Sequence, residues 1–224
     1  MAELGTSLDR YQEVETGEGF TLQNPRLLKV ELSEGGVMAK NGSMVAYQGD
    51  VRFEHKGGGL GRLLKKAATG EQLRLMKATG SGEVFLAHQA MLVHMLHLDD
   101  DSLTVNGRNI LSFEAGIDWD VTRVKGGTAG MLAGGLFNIH LRGSGNVALL
   151  SDGEPVRLDV SEAPTFGDPQ AAIAWSGGVS TSLKTDVQVK TMVGLGSGES
   201  FQLGFSGKGW VLVQPSEGRP LPQG

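Results

Sequence analysis

The chain contains no cysteine among its 224 residues, and this absence excludes several kinds of site. Disulfide bonds, thiolate metal ligands and cysteine nucleophiles all need that side chain. Proline is scarce at 7 residues, so the sequence lacks the composition of a proline-rich disordered chain. No apolar run approaches the ~20 residues of a membrane-spanning helix. The sequence therefore predicts a folded protein without disulfides, thiolate sites or spanning helices.

An excess of basic residues is missing as well. The chain has 20 Lys and Arg against 25 Asp and Glu, a net charge of −5 and a pI of about 5.5. Proteins that bind nucleic acid carry a basic footprint, so we expect no nucleic-acid partner. The acidic first 18 residues have neither the basic start and apolar run of a secretory signal nor the arginines of a mitochondrial presequence. We therefore expect a cytoplasmic location.

Glycine is abundant instead, with 35 residues, about twice the usual share. Three Gly-x-Gly stretches, each followed by an apolar run, begin at Gly80, Gly143 and Gly207, in steps of 63 and 64 residues. Upstream of each lies a strand-like stretch with an aromatic residue near its start and a glycine two positions later. These aromatic residues are Tyr47, Phe113 and Trp175, in steps of 66 and 62 residues. Two markers with nearly one period predict a unit of about 63 residues that occurs three times.

The strand-like stretches have the period of two that is typical of strands with one wet face, because Val51 and Phe53 alternate with Arg52 and Glu54. The runs after Gly-x-Gly are apolar at every position, which favours central strands. The sequence therefore predicts an all-β fold of three related units around a pseudo-threefold axis, packed as one compact domain. The predicted segments are a lead-in (1–23), unit 1 (24–88), unit 2 (89–151), unit 3 (152–215) and a disordered tail (216–224).

No constellation of residues predicts catalysis. Gly-x-Gly lacks the third glycine and the following helix of a dinucleotide site, and no serine lies in a strand–turn–helix elbow. The neighbouring histidines His88, His94 and His97 are spaced so that they cannot share a metal on one straight strand. The run Asp99–Asp101 is interpreted as a solvated turn, with a divalent cation site as the alternative. We therefore predict a non-enzymatic protein without a cofactor or bound metal.

The longer connections inside the units carry apolar residues without strand alternation. Leu60–Ala68 has helical spacing, with basic residues on the face opposite its leucines, and predicts the one short amphipathic helix of the chain. If the units are equivalent, the three connections gather at one end of the molecule. That end is our candidate interaction surface, unless the helix simply covers its own β-structure. It comprises Leu60, Arg62, Leu63, Leu64, Lys65, Lys66, Met131, Leu132, Met192 and Leu195.

Four motifs of unit 1 carry a family resemblance: Lys56-Gly57-Gly58-Gly59, Arg62-Leu63-Leu64, Gly70-Glu71 and Gly80-Ser81-Gly82-Glu83-Val84-Phe85-Leu86. Together they resemble the core motif of the altered-inheritance-of-mitochondria protein 24 family, and the resemblance extends from about Phe20 to Pro215. Gln72-Leu73 stands where that family usually has an aromatic residue. The resemblance implies an all-β fold like that of the tryptophan RNA-binding attenuator protein, without its RNA binding. Mitochondrial members are linked to inner-membrane organisation, and no catalytic or ligand residue transfers from the family.

These observations favour a binding or scaffold protein that associates with itself or with another protein. Contact with an anionic membrane surface is a further form of this hypothesis, because the predicted helix is basic as well as apolar. The alternative is a small-molecule binding protein with a pocket between the β-units.

Overall fold

The computed structural model describes residues 8–15, 19–32, 35–55, 75–123, 137–185 and 201–217. In these ranges the chain forms a 3₁₀ helix (Asp9–Tyr11) and antiparallel β-strands. The strands are β1 (Phe20–Asn24), β2 (Leu27–Leu32), β3 (Val37–Lys40), β4 (Met44–His55), β5 (Leu75–Leu86), β6 (Leu92–Asn106), β7 (Ile110–Glu114), β8 (Asp118–Arg123), β9 (Phe137–Ser151), β10 (Val156–Asp159), β11 (Thr165–Gly167), β12 (Ala172–Ser176), β13 (Val179–Thr185), β14 (Phe201–Gly207) and β15 (Trp210–Val213). The predicted all-β fold is confirmed.

The last strand of each unit lies in the middle of that unit. In unit 1, β5 pairs with β2 and β3 on one side and with β4 on the other. In unit 2, β9 lies between β6 and the pair β7 and β8. In unit 3, β14 and β15 lie between β10 and β11 on one side and β12 and β13 on the other. The apolar runs after Gly-x-Gly therefore form the central strands, as their composition predicts.

The two sequence markers lie opposite each other in every unit. Tyr47 is the register partner of Val84, Phe113 of Val147 and Trp175 of Val211. Each marker aromatic also makes an edge-to-face contact, with ring centroids 5.4, 6.1 and 5.4 Å apart. In units 1 and 2 the second ring is on the marker's own side of the sheet, at Phe53 and Trp119, whereas in unit 3 it is Phe205 on the central strand.

Gly-x-Gly bends the central strands. The two glycines have φ values of 122° and 145° in unit 1, 116° and 144° in unit 2, and 120° and 143° in unit 3. Side chains rarely adopt this region, and a Cβ on Gly80 or Gly82 would overlap the backbone oxygen of Asp50 or Gln48. Glycine is thus required at the bend by both conformation and close approach.

The run Asp99–Asp101 lies inside β6 and is not the turn that we expected. The register of β6 against β9 shifts between Leu98 and Asp101, opposite the second Gly-x-Gly, and Asp100 has a φ of 48°. The backbone N–H of Asp100 donates to Ser144 Oγ at 2.9 Å. An irregularity in a continuous strand therefore accommodates these residues.

Two strand pairings join the units. The first seam pairs β3 of unit 1 with β7 of unit 2, and the second seam pairs β6 of unit 2 with β12 of unit 3. The apolar clusters follow the same sequence. One cluster combines units 1 and 2, the next centres on unit 2 with residues of both neighbours, and the third contains residues of unit 3. Among the described residues, none of the three clusters joins the main body of unit 1 to that of unit 3.

Candidate functional site

The candidate interaction surface predicted from the sequence lies outside the described residues. Its members fall in 56–74, 124–136 and 186–200: Leu60, Arg62, Leu63, Leu64, Lys65, Lys66, Met131, Leu132, Met192 and Leu195. The short helix expected over Leu60–Ala68 and the gathering of the three connections fall there too. These statements stay predictions.

The described histidine side chains are engaged separately. His94 Nε2 lies 2.6 Å from Ser151 Oγ, and His140 Nδ1 lies 3.0 Å from Thr104 Oγ1. Burial lowers the pKa of His94 and of His140, so both favour the neutral form near neutral pH. His97 Nδ1 lies 3.1 Å from the side-chain oxygen of Asn146. The structure therefore assigns these rings to separate hydrogen bonds.

Lys29 is the most enclosed charge of the described chain. Its side chain is 3% exposed, and Nζ donates to Glu13 at 2.7 Å, Glu83 at 3.1 Å and Glu15 at 3.3 Å. Hydrogen bonds from these carboxylates, chiefly Glu13, raise the pKa of Lys29 above its ordinary value despite burial. The backbone of Val14 adds two hydrogen bonds to the Gln23 side chain, so the lead-in segment is fastened to β1, β2 and β5.

The same cluster bears on metal binding. Glu13, Glu15 and Glu83 are the one group of three or more ligating side chains that converge within the described residues, with ligand atoms no more than 4.8 Å apart. Three carboxylates suit a hard divalent cation, but the ammonium of Lys29 already occupies their centre. The arrangement is therefore an internal ion cluster with the lysine in the position of a cation.

Lys40 is a second perturbed amine. Nζ donates to the backbone oxygens of Gly107 at 3.3 Å and Arg108 at 3.0 Å. Burial, with a smaller effect from the charge of Arg108, lowers the pKa of Lys40 to about 8. A lysine with a lowered pKa can act as a base or nucleophile, but here the amine ties β3 to the turn before β7.

A cleft opens between β1 of the first unit and β6 of the second. Its volume is about 360 Å³, at the small end for ligand pockets. The floor is largely apolar, and His94 and Glu154 supply polar groups. The lining residues are Leu22, Asn24, Pro25, Leu92, Val93, His94 and Glu154.

Exposed apolar side chains concentrate at two strands that have a sheet partner on one side within the described chain. The unit 1 edge is the first half of β4 (44–49), which pairs with β5 and exposes Met44, Val45 and Tyr47. The unit 3 edge is β11 (165–167), which pairs with β14 and exposes Phe166. Their counterparts at the two internal seams are buried.

Comparison with known families relates this architecture to other proteins. The sequence model of the family described as "Mitochondrial biogenesis AIM24" matches residues 20–216. The chain belongs to the AIM24 family. The resemblance carried by the unit 1 motifs is therefore confirmed. Comparison with curated proteins finds no match.

The fold of this AIM24 protein has a solved counterpart. It is similar to the crystal structure of a Streptococcus pyogenes protein from a structural genomics consortium, with a TM-score of 0.71 and 22% sequence identity. The match covers 88% of this chain and 92% of the streptococcal one. At this identity the likeness shows the fold alone.

The described part of the AIM24 chain also bears on how it could meet a membrane. Searched over those residues, it has no helix of the length and apolar character needed to cross a bilayer.

The functional features described here were largely missed by sequence reasoning. Lys29 stands in an apolar strand sequence, Leu27–Leu32, and that single charged position was the available signal for a buried ion cluster. The two exposed edges carried no such signal, because Tyr47 and Phe166 resemble residues that are buried elsewhere in the chain.

Proposed function

We propose that this AIM24-family protein is a non-enzymatic binding or scaffold protein that acts by association. The observation that carries the proposal is the exposure of apolar strand edges, which soluble proteins ordinarily cover or protect with charge. Met44, Val45, Tyr47 and Phe166 are all more than a third exposed. Such edges fit a protein that takes its place in an assembly.

We further propose that the three units are structural repeats of the kind found in the tryptophan RNA-binding attenuator protein. Support comes from the common strand pairing, the aromatic-to-valine register and the matching glycine conformations. A threefold arrangement has three seams, and the described pairings supply two. Superposition of each unit on the next in an experimental structure tests the repeat.

The predicted basic helix extends the proposal to an anionic membrane surface. Arg62, Lys65 and Lys66 would each add about 1 kcal/mol near such a surface, with Leu63 and Leu64 entering the interface. With a net charge of −5, nucleic acid is not among the proposed partners. A cytoplasmic location belongs to the proposal and is tested by fractionation of cells.

The experiment combines two measurements on the purified chain. Light scattering after size exclusion reports self-association, and flotation with anionic phosphatidylserine vesicles reports membrane binding. We expect at least one, and a Leu63→Asp, Leu64→Asp double variant that keeps its stability should lose vesicle binding. A wild-type chain that stays monomeric and does not float would refute the proposed function. A double variant that simply unfolds would place the segment in the core and remove the membrane arm.

Small-molecule binding is the second candidate, favoured by the cleft between β1 and β6. Its apolar floor and the polar groups of His94 and Glu154 suit a small, partly apolar ligand. Native mass spectrometry of the freshly purified chain tests it through a co-purified mass that is lost in Val93→Trp. A bare chain mass counts against this candidate.

A further inference from the structure

We propose that the unit 3 edge of one molecule pairs with the unit 1 edge of a second copy. The pairing repeats, between molecules, the antiparallel seam that joins unit 1 to unit 2 and unit 2 to unit 3 within the chain. This inference rests on the proposed binding function and names its partner.

The two internal seams define the register. In the first seam Met38 is opposite Phe113, and in the second Thr104 is opposite Trp175. Each seam thus places the marker aromatic of the following unit opposite the middle of the preceding unit's edge. Tyr47 is the marker aromatic of unit 1 and has no preceding unit in its own chain.

The central strands identify the matching residue of unit 3. Met38 pairs across its unit with Lys77, Thr104 with His140 and Phe166 with Gly204. Lys77, His140 and Gly204 each stand three positions before the first glycine of Gly-x-Gly. Phe166 is therefore the unit 3 counterpart of Met38 and Thr104.

The seam between copies consequently has a definite register. Phe166 of one copy lies opposite Tyr47 of the next. The neighbouring pairs then follow from the antiparallel pattern, with Thr165 opposite Gln48 and Gly167 opposite Ala46. Both aromatic residues are placed where direct cross-strand contact stabilises a sheet.

Burial separates the internal positions from these two. Phe113 and Trp175 are 0% and 5% exposed, whereas Tyr47 is 49% exposed. Met38 and Thr104 are 2% and 9% exposed, whereas Phe166 is 44% exposed. The same structural position is thus covered twice by a neighbouring unit and left open once on each side of the seam.

The composition of both edges favours strand addition. Neither 44–49 nor 165–167 contains a charged residue or a proline, the usual means by which edge strands avoid pairing. Joining them would extend the sheet of β11, β14 and β13 by β4, β5, β2 and β1. The two partial sheets at the ends of the molecule would become one continuous sheet.

A second copy fits better than closure within one chain. Among the described residues, the cluster of unit 3 contains no residue of unit 1, and both edges face solvent. Because the two edges differ, the contact is heterologous, and each molecule offers one donor edge and one acceptor edge.

Complementary variants test this geometry. Tyr47→Asp blocks the unit 1 edge and Phe166→Asp blocks the unit 3 edge, and each should weaken self-association at least about tenfold. Met95→Asp is the matched control, because Met95 is 44% exposed on β6 and lies outside both edges. Gln48→Lys is a second variant of the unit 1 edge that leaves the Tyr47–Phe53 contact in place.

Mixing the two blocked chains is the decisive measurement. Each blocked chain alone should be monomeric, but the mixture keeps one intact seam, Phe166 of one variant with Tyr47 of the other. We therefore expect a 1:1 complex of twice the 23.6 kDa chain mass by light scattering. Unfolding curves like that of the Met95→Asp chain would show that the variants are folded.

Three results would overturn the inference. A monomeric wild-type chain, with Tyr47→Asp and Phe166→Asp lowering its stability, indicates closure within one molecule. Blocked chains that do not complement each other indicate a symmetric contact between like edges. A wild-type assembly that survives both substitutions leaves the proposed binding function standing and removes this seam, whereas a monomer that also fails to bind anionic vesicles removes both.

Discussion

Replacing Lys29 with methionine should destabilise the protein by about 2–3 kcal/mol. Breaking a buried ion pair by removing one partner costs about 3–5 kcal/mol, and Lys29 is 3% exposed. The carboxylates are less enclosed, with side-chain exposures of 28%, 24% and 78% for Glu13, Glu83 and Glu15. Water can therefore take over part of their solvation, which places the expected cost below the full range. Methionine keeps most of the apolar stem, so the loss reports the charge.

Urea unfolding followed by circular dichroism measures this cost, with Glu15→Gln as control. The control removes the most exposed partner and should cost about 0–1 kcal/mol. In acid the carboxylates of the Lys29→Met chain take up protons and cease to repel one another, so the gap to wild type should narrow. At alkaline pH the raised pKa of Lys29 keeps its contribution intact below 10.5 and loses it only as pH climbs through the higher folded value.

The variant also tests the role of the lysine as an internal cation. Without the ammonium, Glu13, Glu15 and Glu83 form an open carboxylate group, so calcium should raise the melting temperature of Lys29→Met and leave wild type unchanged. An unfolding free energy within about 0.5 kcal/mol of wild type, the scatter of ordinary surface substitutions, would refute this account of the cluster.

Two further predictions follow from backbone and burial. Gly82→Ala should cost more than Gly143→Ala by urea unfolding, because its Cβ meets the Gln48 carbonyl, whereas no described atom lies within 4 Å at Gly143 and strained φ alone costs about 1–3 kcal/mol; equal losses would refute the steric part. The pKa of Lys40 is lowered to about 8 from 10.5, so the unfolded chain binds more protons between these values, and wild-type stability should rise with pH there relative to Lys40→Met; parallel pH curves would contradict this.

The local part of the fold was predictable from the sequence. Strand alternation and Gly-x-Gly report on neighbouring residues, and their period is enough to place Tyr47, Phe113 and Trp175 in matching strands. The cross-strand partners of these residues lie some 35 residues away, at Val84, Val147 and Val211. The glycines constrain them because a bend sets where each central strand changes partners.

The rest depended on long-range contacts. Lys29 meets carboxylates 14, 16 and 54 positions away, and no local pattern states which of many acids approach it. The run Asp99–Asp101 has turn-like composition, yet its pairing with β9 continues it as a strand. The exposure of Tyr47 and Phe166 depends on which unit lies beside them, and that is a property of the order of units.

The position of each central strand has a consequence for synthesis of the chain. β5, β9 and the pair β14 and β15 are the last strands of their units to leave the ribosome, yet they provide the middle of each sheet. Apart from the pair β1 and β2, the earlier described strands of a unit therefore have no sheet partner within it until translation has passed Leu86, Ser151 or Val213. Domains fold as units during synthesis, so the nascent protein should gain structure in three late steps. Pulling-force profiles of arrested chains would show each step after its Gly-x-Gly strand emerges.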